Sequence, residues 1–409
     1  MRILVVSQYF YPENFRINDL AIGFVEKGHD VTVLTGIPNY PKGSFFDGYG
    51  LFQRNCENYQ GINIIRCPLI PRGDAKAIRL ALNYISFAIF ACLYGLLKAR
   101  GKFDAIFVFQ VSPITVGIPA IFMKWLKNAP IFFWVLDLWP ESVIAASDIK
   151  QGWVINTLEK LTKWIYQHCD RILVQSKGFY AHALKMGVPQ TKLQFFPNWA
   201  EELYQPRKIN PELLANLPSG FKIMFAGNIG VAQDFGSILA AAEKLKQNTK
   251  IQWLILGDGR ERDWVSEEIK KRNLRDVFHL LGQFPIEEMP NYFACADALL
   301  VTLKQDPIFE STIPGKIQSY LACGKPILAM LDGEGAKVIN ESGAGYACAS
   351  EDIDGLVKTT NRMVALSVAE RNEMGKAGRI YYDTHFNRNQ LFSQLEAQML
   401  CLTKKSTIE

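Results

Sequence analysis

Short apolar runs of strand length that alternate with helical segments constrain this fold more than any other feature of the sequence. Residues 3–7 form such a run, residues 18–27 carry apolar side chains at helical spacing, and residues 31–35 form the next run. Gly28 is placed to end the helix between them. This order predicts a strand–helix–strand unit, and units of this kind build parallel sheets covered by helices.

The pattern occurs in both halves of the chain. Further strands are expected at 105–109, 131–135 and 171–174, and then at 222–226, 253–256, 277–281, 298–301 and 326–330. With 409 residues the chain also exceeds the size at which one hydrophobic core keeps growing. We therefore predict an α/β fold with two doubly wound, Rossmann-like domains that face a central cleft. The predicted N-terminal domain covers 1–203 and the C-terminal domain 204–385, and a helix within 386–409 packs back on the first domain.

Charge and cysteine usage exclude several classes of function. The formal net charge is +5 and the basic residues form no long run, so nucleic acid is not an expected partner. The eight cysteines include no Cys-X-X-Cys pair, and several lie in apolar runs. We therefore expect reduced thiols in the cytoplasm and no metal site. The N-terminus lacks the apolar core and cleavage site of a signal peptide, so we expect the chain to begin within the fold.

Glycine loops after the strands of the second half are candidates for nucleotide binding, because ligands of such sheets lie beyond the carboxyl ends of the strands. Glycine allows a ligand to approach the backbone, and a helix start presents free amides to phosphate. The ring of one phenylalanine in these loops is a candidate to meet a nucleobase. A plain turn is the alternative at each loop. The candidates are Gly227, Asn228, Gly257, Asp258, Gln283 and Phe284.

The segment 309–326 is the most informative part of the second half. Pro314 and Gly315 open a short helix that stops at Gly324, and Lys316 lies in its first turn. A lysine there opposes the usual preference for acidic residues at a helix start. An anionic phosphate between the lysine and the helix would account for it. The alternative is a lysine that faces solvent.

Two loops of the first half carry side chains that suit the acceptor side. Arg16 lies near the start of the first helix and is a phosphate candidate, or alternatively a surface ion-pair partner of Glu13 or Asp19. Asp137 and Glu141 flank Trp139, whose ring is a candidate to stack on a sugar. Carboxylates in a cleft orient hydroxyls or act as bases. The alternatives are Asp137 as a helix cap and Glu141 as an ordinary acid early in a helix.

An apolar run at residues 80–97 is interrupted by Asn83 and Ser86 and has basic residues on both sides. Its length is at the lower limit for a membrane-spanning helix. Spanning once would place neighbouring strands of one sheet on opposite sides of the membrane. The sequence therefore leaves two readings open, a peripheral helix at the membrane surface and a buried core helix.

Taken in order, several of these segments resemble one family over nearly the whole chain. They are QYFYPENFRIND at 8–19, PNYP at 38–41, DLWPES at 137–142, AGNIG at 226–230 and IPGK at 313–316. The chain resembles the family 4 glycosyltransferases with the GT-B fold, in particular the polysaccharide-assembly branch of the fucosaminyl or colanic acid type.

The resemblance implies a retaining transfer without a bound divalent metal, in which the C-terminal domain holds the donor diphosphate and the N-terminal domain the acceptor. The sequence departs from the family at the two glutamates that usually hold the donor. Alignment places Ser311 and Ser319 there, with Glu310 one position away. The basic residues that usually hold the diphosphate match Asn228 and Gln233, so Lys316 and Arg16 are expected to supply the charge instead.

These observations combine into one predicted function, the transfer of a sugar from a nucleotide carrier to a lipid-linked glycan during assembly of a bacterial surface polysaccharide. The resemblance suggests a UDP-linked donor that carries N-acetylfucosamine. The expected acceptor is a polyprenyl-diphosphate sugar, and the expected location is the inner face of the cytoplasmic membrane. The alternatives are a nucleotide-sugar epimerase and a non-catalytic nucleotide-sugar-binding partner.

Three residues are predicted to act in the reaction. Lys316 stabilises the departing diphosphate together with backbone amides of 228–230 and 315–317, and Asp137 or Glu310 orients the acceptor hydroxyl. The predicted donor-binding residues are Arg16, Gly227, Asn228, Gln233, Gly257, Asp258, Gln283, Phe284, Pro314, Gly315 and Ser319.

Overall fold

The computed structural model describes residues 1–51, 53–74, 76–146 and 152–405. The chain divides into two compact units. Unit 1 comprises Met1–Phe196 together with the chain from Asn389 onward, and unit 2 comprises Pro197–Arg388. The boundaries therefore lie at 196/197 and 388/389, close to the predicted 203/204 and 385/386. The last four residues of the predicted segment 386–409 lie outside the described ranges.

Unit 1 contains an eight-stranded sheet in the order β3-β4-β2-β1-β5-β6-β7-β8. All neighbouring strands are parallel except β3, which pairs antiparallel with β4. The strands are β1 (Arg2–Val6), β2 (Asp30–Gly36), β3 (Cys56–Tyr59), β4 (Ile62–Cys67), β5 (Ala105–Gln110), β6 (Ile131–Val135), β7 (Arg171–Val174) and β8 (Leu193–Phe195). The helices are α1 (Arg16–Glu26), α2 (Ala77–Lys98), α3 (Gly117–Lys127), α4 (Glu141–Ala146), α5 (Gly152–His168), α6 (Lys177–Lys185) and, at the end of the chain, α16 (Arg388–Lys405).

Unit 2 contains a six-stranded parallel sheet in the order β11-β10-β9-β12-β13-β14. Its strands are β9 (Phe221–Ala226), β10 (Ile251–Leu256), β11 (Phe278–Gly282), β12 (Ala298–Thr302), β13 (Ile327–Met330) and β14 (Gly345–Cys348). Its helices are α7 (Pro211–Ala215), α8 (Phe235–Leu245), α9 (Arg262–Lys271), α10 (Met289–Cys295), α11 (Pro307–Ser311), α12 (Gly315–Ala322), α13 (Gly333–Ser342), α14 (Ile353–Ala365) and α15 (Val368–His385).

The two doubly wound α/β units that the sequence predicts are confirmed. Each predicted strand is present to within two residues at either end, because central parallel strands are buried on both faces and read as continuous apolar runs. The prediction missed β3, β4, β8 and β14. Three of these are edge strands, and their sequences CENY, LQF and GYAC carry polar or small residues instead of an apolar run.

Helix α2 packs one face against unit 1, and that face contains the two polar residues that interrupt its apolar run. Asn83 accepts a hydrogen bond from the Gln8 side chain (2.7 Å) and donates to the Ile70 carbonyl (2.6 Å). Ser86 accepts one from the Ile70 amide (2.9 Å). Among the described residues, α2 is the one helix long and apolar enough to cross a membrane, and only a third of its most apolar window is buried.

The C-terminal helix α16 belongs to unit 1 because it packs on α1. The rings of Phe24 and Phe392 lie 6.4 Å apart. Glu396 pairs with Lys27 at 3.2 Å and with His29 at 2.9 Å. The chain thus returns from unit 2 to complete the first unit.

Both sheets have a topological switch point, where successive connections run in opposite directions. It lies between β1 and β5 in unit 1 and between β9 and β12 in unit 2. Ligands of open parallel sheets bind beyond the carboxyl ends of the strands at such points. The loops that follow β1 and β9 are therefore the expected positions of ligand sites.

Candidate functional site

Two glycines form the floor of the candidate site in unit 2. Gly227 follows β9 and Gly257 follows β10, and each has a φ of 138°. Residues other than glycine rarely adopt this backbone conformation. A Cβ at Gly257 would lie 1.9 Å from the Gly227 carbonyl oxygen, and one at Gly227 would lie 2.8 Å from Cε of Lys316. Both positions therefore require glycine, which both the ligand loop and the plain turn would use.

Lys316 is the central charged residue of this site. Its Nζ lies 3.5 Å from the centre of the Phe225 ring and, among the residues that the structure describes, is buried without a hydrogen-bond partner. Lys316 is half-buried as a residue, but its charged end is fully buried, so the solvent-facing alternative is wrong. Burial lowers the pKa of Lys316 to about 7.

Tyr320 holds Lys316 in this position from one helical turn away. Its hydroxyl accepts a hydrogen bond from the Ala226 amide (3.3 Å) and donates to the Leu300 carbonyl (3.4 Å). These contacts attach α12 to the end of β9 and to the middle of β12. Since residues four apart share a helix face, the same attachment directs Lys316 toward Gly227.

The backbone amides around Lys316 are not all available to a ligand. The Ile229 amide donates to the Asp258 carbonyl (2.8 Å), and the Ile317 amide donates to Pro314 (2.9 Å). These two amides are therefore removed from the predicted phosphate-binding amides of 228–230 and 315–317, because each already donates a hydrogen bond within the protein. The amides of Asn228, Gly230, Gly315 and Lys316 itself remain candidates.

The other predicted donor-binding residues of unit 2 lie around this floor. Asn228 and Asp258 are exposed on the paired loops, and Gln233 lies in the turn that precedes α8, where its carbonyl accepts the Thr302 hydroxyl. Pro314 is the N-cap residue of α12 and Gly315 its first residue. Helix α12 ends at Ala322, two residues before the predicted stop at Gly324.

The loop after β11 is arranged differently from the two glycine loops. Gln283 is exposed, while the Phe284 ring packs against Tyr292 with centroids 4.4 Å apart. Phe284 is thereby partly buried. Its remaining face is the part of this loop that can meet a nucleobase.

The positions that match the family glutamates are occupied by serines engaged with their own helices. Ser311 donates to the Pro307 carbonyl (3.0 Å) and Ser319 to the Gly315 carbonyl (3.2 Å), each one turn earlier. Glu310 is half-buried in α11. Its backbone carbonyl lies against Gly333, where a Cβ would come within 1.9 Å. Among the described residues its carboxylate has no hydrogen bond or ion pair, so it is an acid of this region that is available to a ligand.

In unit 1, Asp137 follows β6 and is held by side-chain donors. Trp139 Nε1 donates to it at 3.2 Å, and the hydroxyls of Ser112 and Ser142 also face it. Burial raises the pKa of Asp137 above its ordinary value, although these hydrogen bonds oppose the shift. Trp139 is only 6% exposed and packs in the core, so the prediction that its ring stacks on a sugar is wrong.

Glu141, the second acid of that loop, has a local partner. It begins α4 and pairs with His182 of α6, with Oε1 and Nδ1 3.3 Å apart. Although burial acts in the other direction, this contact holds the pKa of Glu141 below its ordinary value. The pair joins two helices and is structural.

Arg16 is the first residue of α1, at the carboxyl end of β1, and is half-buried. Glu13, one of the two partners considered for it, is fully buried instead of lying on the surface. The Glu13 carboxylate accepts hydrogen bonds from the amides of Asn39 (2.8 Å) and Tyr40 (2.7 Å). The sequence motifs at 8–19 and 38–41 are thus the two halves of one structural feature.

Sequence reasoning missed the contacts of several residues that shape these sites, namely Glu13, Phe225 and Tyr320. The signal for Glu13 was available, since both motifs that it joins are distinctive. Nothing in the sequence indicates that the Phe225 ring packs against Lys316. Nor does it indicate that the Tyr320 hydroxyl bonds to the backbone of β9 and β12. Within the residues that the structure describes, no three His, Cys, Asp or Glu side chains are grouped so as to hold a metal ion.

Two family models match the chain. Residues 14–199 match the glycosyl transferase 4-like domain, and residues 214–381 match the glycosyl transferases of group 1. Together they account for most of both units.

The curated relatives are transferases by name. WbjE of Pseudomonas aeruginosa, named as a glycosyltransferase, is 29% identical over 60% of this chain, and the match spans 63% of the length of WbjE. WcaI of Escherichia coli, named for colanic acid biosynthesis, is 25% identical over 79% of this chain and 82% of its own length.

Solved structures share the fold over the full length. Sucrose-phosphate synthase from Thermosynechococcus elongatus superposes with a TM-score of 0.77 at 18% identity, covering 99% of each chain. HepE of Anabaena, solved in complex with UDP, superposes with a TM-score of 0.71 at 12% identity, covering 98% of this chain and all of HepE.

A 4-like domain followed by a group 1 domain, on two doubly wound sheets, matches the predicted architecture and leaves the epimerase and the non-catalytic partner without support. The chain belongs to the glycosyltransferases with the GT-B fold.

Proposed function

We propose that this enzyme transfers a sugar from a UDP-linked donor to a lipid-linked glycan during assembly of a bacterial surface polysaccharide. In this proposal the transfer retains the configuration of the sugar and uses no bound metal. N-acetylfucosamine is the first donor sugar to test. The complex of HepE with UDP supports a uridine carrier, and the name of WcaI supports a role in polysaccharide assembly.

One observation carries the proposal, the buried Nζ of Lys316 beside Gly227. A buried ammonium without a partner costs free energy that an anion at the same place would recover. The backbone at Gly227 and Gly257 approaches without side chains, so a diphosphate can reach both the ammonium and the neighbouring amides. Few ligands other than a phosphorylated one fit this combination of charge and backbone donors.

The reaction breaks the bond between the sugar's anomeric carbon and the diphosphate oxygen, so negative charge grows on the leaving group. Lys316 and the amides of Asn228, Gly230 and Gly315 are proposed to stabilise that charge. One such donor, held in place before the reaction, contributes about 3 kcal/mol.

The acceptor hydroxyl is proposed to attack from the face that the diphosphate leaves, and its proton passes to a diphosphate oxygen. Glu310 is the first candidate to orient this hydroxyl, because its carboxylate has no partner in the described part of the chain. Asp137 is the second candidate. It ranks below Glu310 because its oxygens already accept several side-chain hydrogen bonds.

The acceptor is proposed to be a polyprenyl-diphosphate sugar, reached from the inner face of the cytoplasmic membrane. The support comes from α2, whose exposed face is apolar and whose flanks are basic. Such a helix binds a bilayer from one side without crossing it.

The test is a donor screen with purified enzyme and a polyprenyl-diphosphate sugar. Release of nucleoside diphosphate and the mass of the acceptor are measured in parallel. We expect one donor to give both signals, with retained configuration, and to do so in the presence of EDTA. Consumption of donor without a gain in acceptor mass contradicts the transfer, and loss of activity with EDTA contradicts the metal-free mechanism.

A further inference from the structure

Helix α2 presents a continuous apolar stripe to solvent. We define the stripe as the six aliphatic residues that recur every three or four positions along its exposed face. Ile78, Ile85 and Ile89 are 78%, 52% and 61% exposed. The six residues of the stripe are Ile78, Leu82, Ile85, Ile89, Leu93 and Leu96. A row of this length, about 27 Å at 1.5 Å per residue, is larger than the scattered apolar residues of an ordinary surface.

A lipid surface suits this stripe better than a second protein copy. The helix contains no acidic residue, and basic residues flank both of its ends. The neighbouring helix α3 adds Trp125, which is 64% exposed and is the residue type found where protein meets a membrane surface. Basic flanks around an apolar face complement an anionic bilayer, whereas two copies would bring like charges together.

Arg72 and Arg79 lie at the end of α2 where the stripe begins. Arg79 is adjacent to Ile78, the first residue of the stripe, and its Nε donates to the Pro71 carbonyl (2.9 Å). The Arg72 guanidinium lies 4.9 Å from the centre of the Tyr40 ring and donates to the Tyr9 hydroxyl (3.4 Å). In the described residues neither arginine forms an ion pair, so most of their N–H donors are available.

Hydrogen bonds connect this arginine pair to the carboxyl edge of the sheet. The Arg72 amide donates to the Asn39 side chain (3.2 Å). Asn39 lies in the loop after β2, and its amide donates to the Glu13 carboxylate. Asn83 of α2 accepts from Gln8, which follows β1. The basic pair therefore lies between the apolar stripe and the switch point of unit 1, which is the order in which a lipid-linked sugar would present its chain, its diphosphate and its sugar.

We propose that Arg72 and Arg79 form the binding site for the diphosphate of the lipid-linked acceptor, while the stripe of α2 rests in the lipid surface. The inference rests on the proposed function for the identity of the acceptor. The guanidinium fork matches phosphate oxygens in pairs and binds them more strongly than a neutral donor does.

The test measures binding, so it does not depend on which sugar is transferred. Two kinds of phosphatidylcholine vesicle with equal negative charge are compared. One contains polyprenyl diphosphate and the other contains phosphatidylglycerol, and bound enzyme is measured by sedimentation. We expect wild-type enzyme to prefer the diphosphate vesicles about tenfold, the gain from one or two charge-assisted hydrogen bonds. The Arg72→Gln/Arg79→Gln variant should lose that preference.

The Arg100→Gln/Lys102→Gln variant is the matched control, because it removes the same charge beyond the other end of α2. It should keep the preference for diphosphate. Equal binding of both vesicles by wild-type enzyme, or a preference that survives in the Arg72→Gln/Arg79→Gln variant, overturns the proposal. Failure of the donor screen with normal vesicle binding would instead count against the proposed reaction alone.

The stripe is tested separately with the Ile85→Ser/Ile89→Ser variant. It should bind both kinds of vesicle at least tenfold more weakly, because two exposed aliphatic side chains no longer enter the lipid. Its elution volume in size-exclusion chromatography should match that of the wild type. A wild-type dimer that this variant dissociates would assign the stripe to a second copy and overturn the membrane assignment.

Discussion

Lys316 in unit 2 and Glu13 in unit 1 are both ionisable groups buried near the carboxyl edge of their sheets, and they are in opposite situations. Within the described part of the chain the Lys316 Nζ has no hydrogen-bond partner, whereas Glu13 in unit 1 receives hydrogen bonds from two backbone amides. Burial moves both pKa values to about 7, downward for Lys316 and upward for Glu13. The difference teaches that a shifted pKa alone does not mark a ligand site. A buried charge without a hydrogen-bond partner is a candidate ligand contact, whereas Glu13 with its two partners holds two loops together.

The largest expected effect tests the role assigned to Lys316. Lys316→Met should lower turnover by about 10²- to 10³-fold, because the departing diphosphate loses a donor placed in advance. Lys325→Met is the matched control, since burial also lowers the pKa of Lys325 but its Nζ donates to the Ala294 carbonyl (3.1 Å). Steady-state kinetics on both variants decides. A similar loss in both, or in neither, removes Lys316 from the mechanism.

The same substitution should make the protein more stable. The folded state carries an unpaired buried ammonium at pH 6, so Lys316→Met should raise the free energy of unfolding there by about 3 kcal/mol. Between pH 7 and the unfolded pKa of lysine, the unfolded chain binds more protons, so wild-type stability rises with pH and the difference shrinks. Urea unfolding at pH 6 and pH 9 measures both values. A destabilised variant would show that Lys316 serves the fold.

Glu13 should behave in the opposite way. Glu13→Ala leaves the amides of Asn39 and Tyr40 buried without an acceptor and should cost about 2 kcal/mol of unfolding free energy. Glu13→Gln keeps an acceptor oxygen and should cost less than half as much. Thermal unfolding of the two variants compares them, and equal losses would mean that the hydrogen bonds are unimportant.

Glu13 also predicts a slope of stability with pH. Between about pH 4.5 and 7 the folded state holds a proton on Glu13 that the unfolded chain has released, so this residue makes stability fall as pH rises through that window. The Glu13→Gln variant should lack this contribution. The two residues therefore impose slopes of opposite sign that meet near pH 7.

The smallest expected effect concerns donor affinity. Because an anion raises the pKa of Lys316 from about 7, binding above pH 7 takes up a proton, and affinity should fall by up to about tenfold per pH unit. Below pH 7 Lys316 is already charged, so affinity should be flat. Calorimetry with a nucleotide sugar is suitable, since its diphosphate has no terminal phosphate group that titrates near neutral pH. The same slope in Lys316→Met would assign the titration to another group.

The sequence predicted the central strands, the glycine loops and the helix start at Pro314, because these depend on local patterns of apolar residues and on backbone conformations that glycine allows. It also singled out Lys316 and the motifs around Glu13 and Asn39. It could not show that Trp139 is buried, because a tryptophan after a strand fits a core as well as a cleft. It could not show which amides were already engaged, since Ile229 and Ile317 find their partners only when the loops pack.

The sequence by itself therefore determined the class of fold, the enzyme family and the segments that contain the candidate sites. Tertiary structure alone decided the state of the groups within them. It left the Lys316 ammonium without a partner above Phe225, gave Glu13 two amides from a loop distant in sequence, and turned the apolar stripe of α2 outward while Asn83 and Ser86 faced inward. The reason is physical. Burial, pKa and hydrogen-bond satisfaction depend on neighbours that packing brings together, and no pattern along the chain records those neighbours.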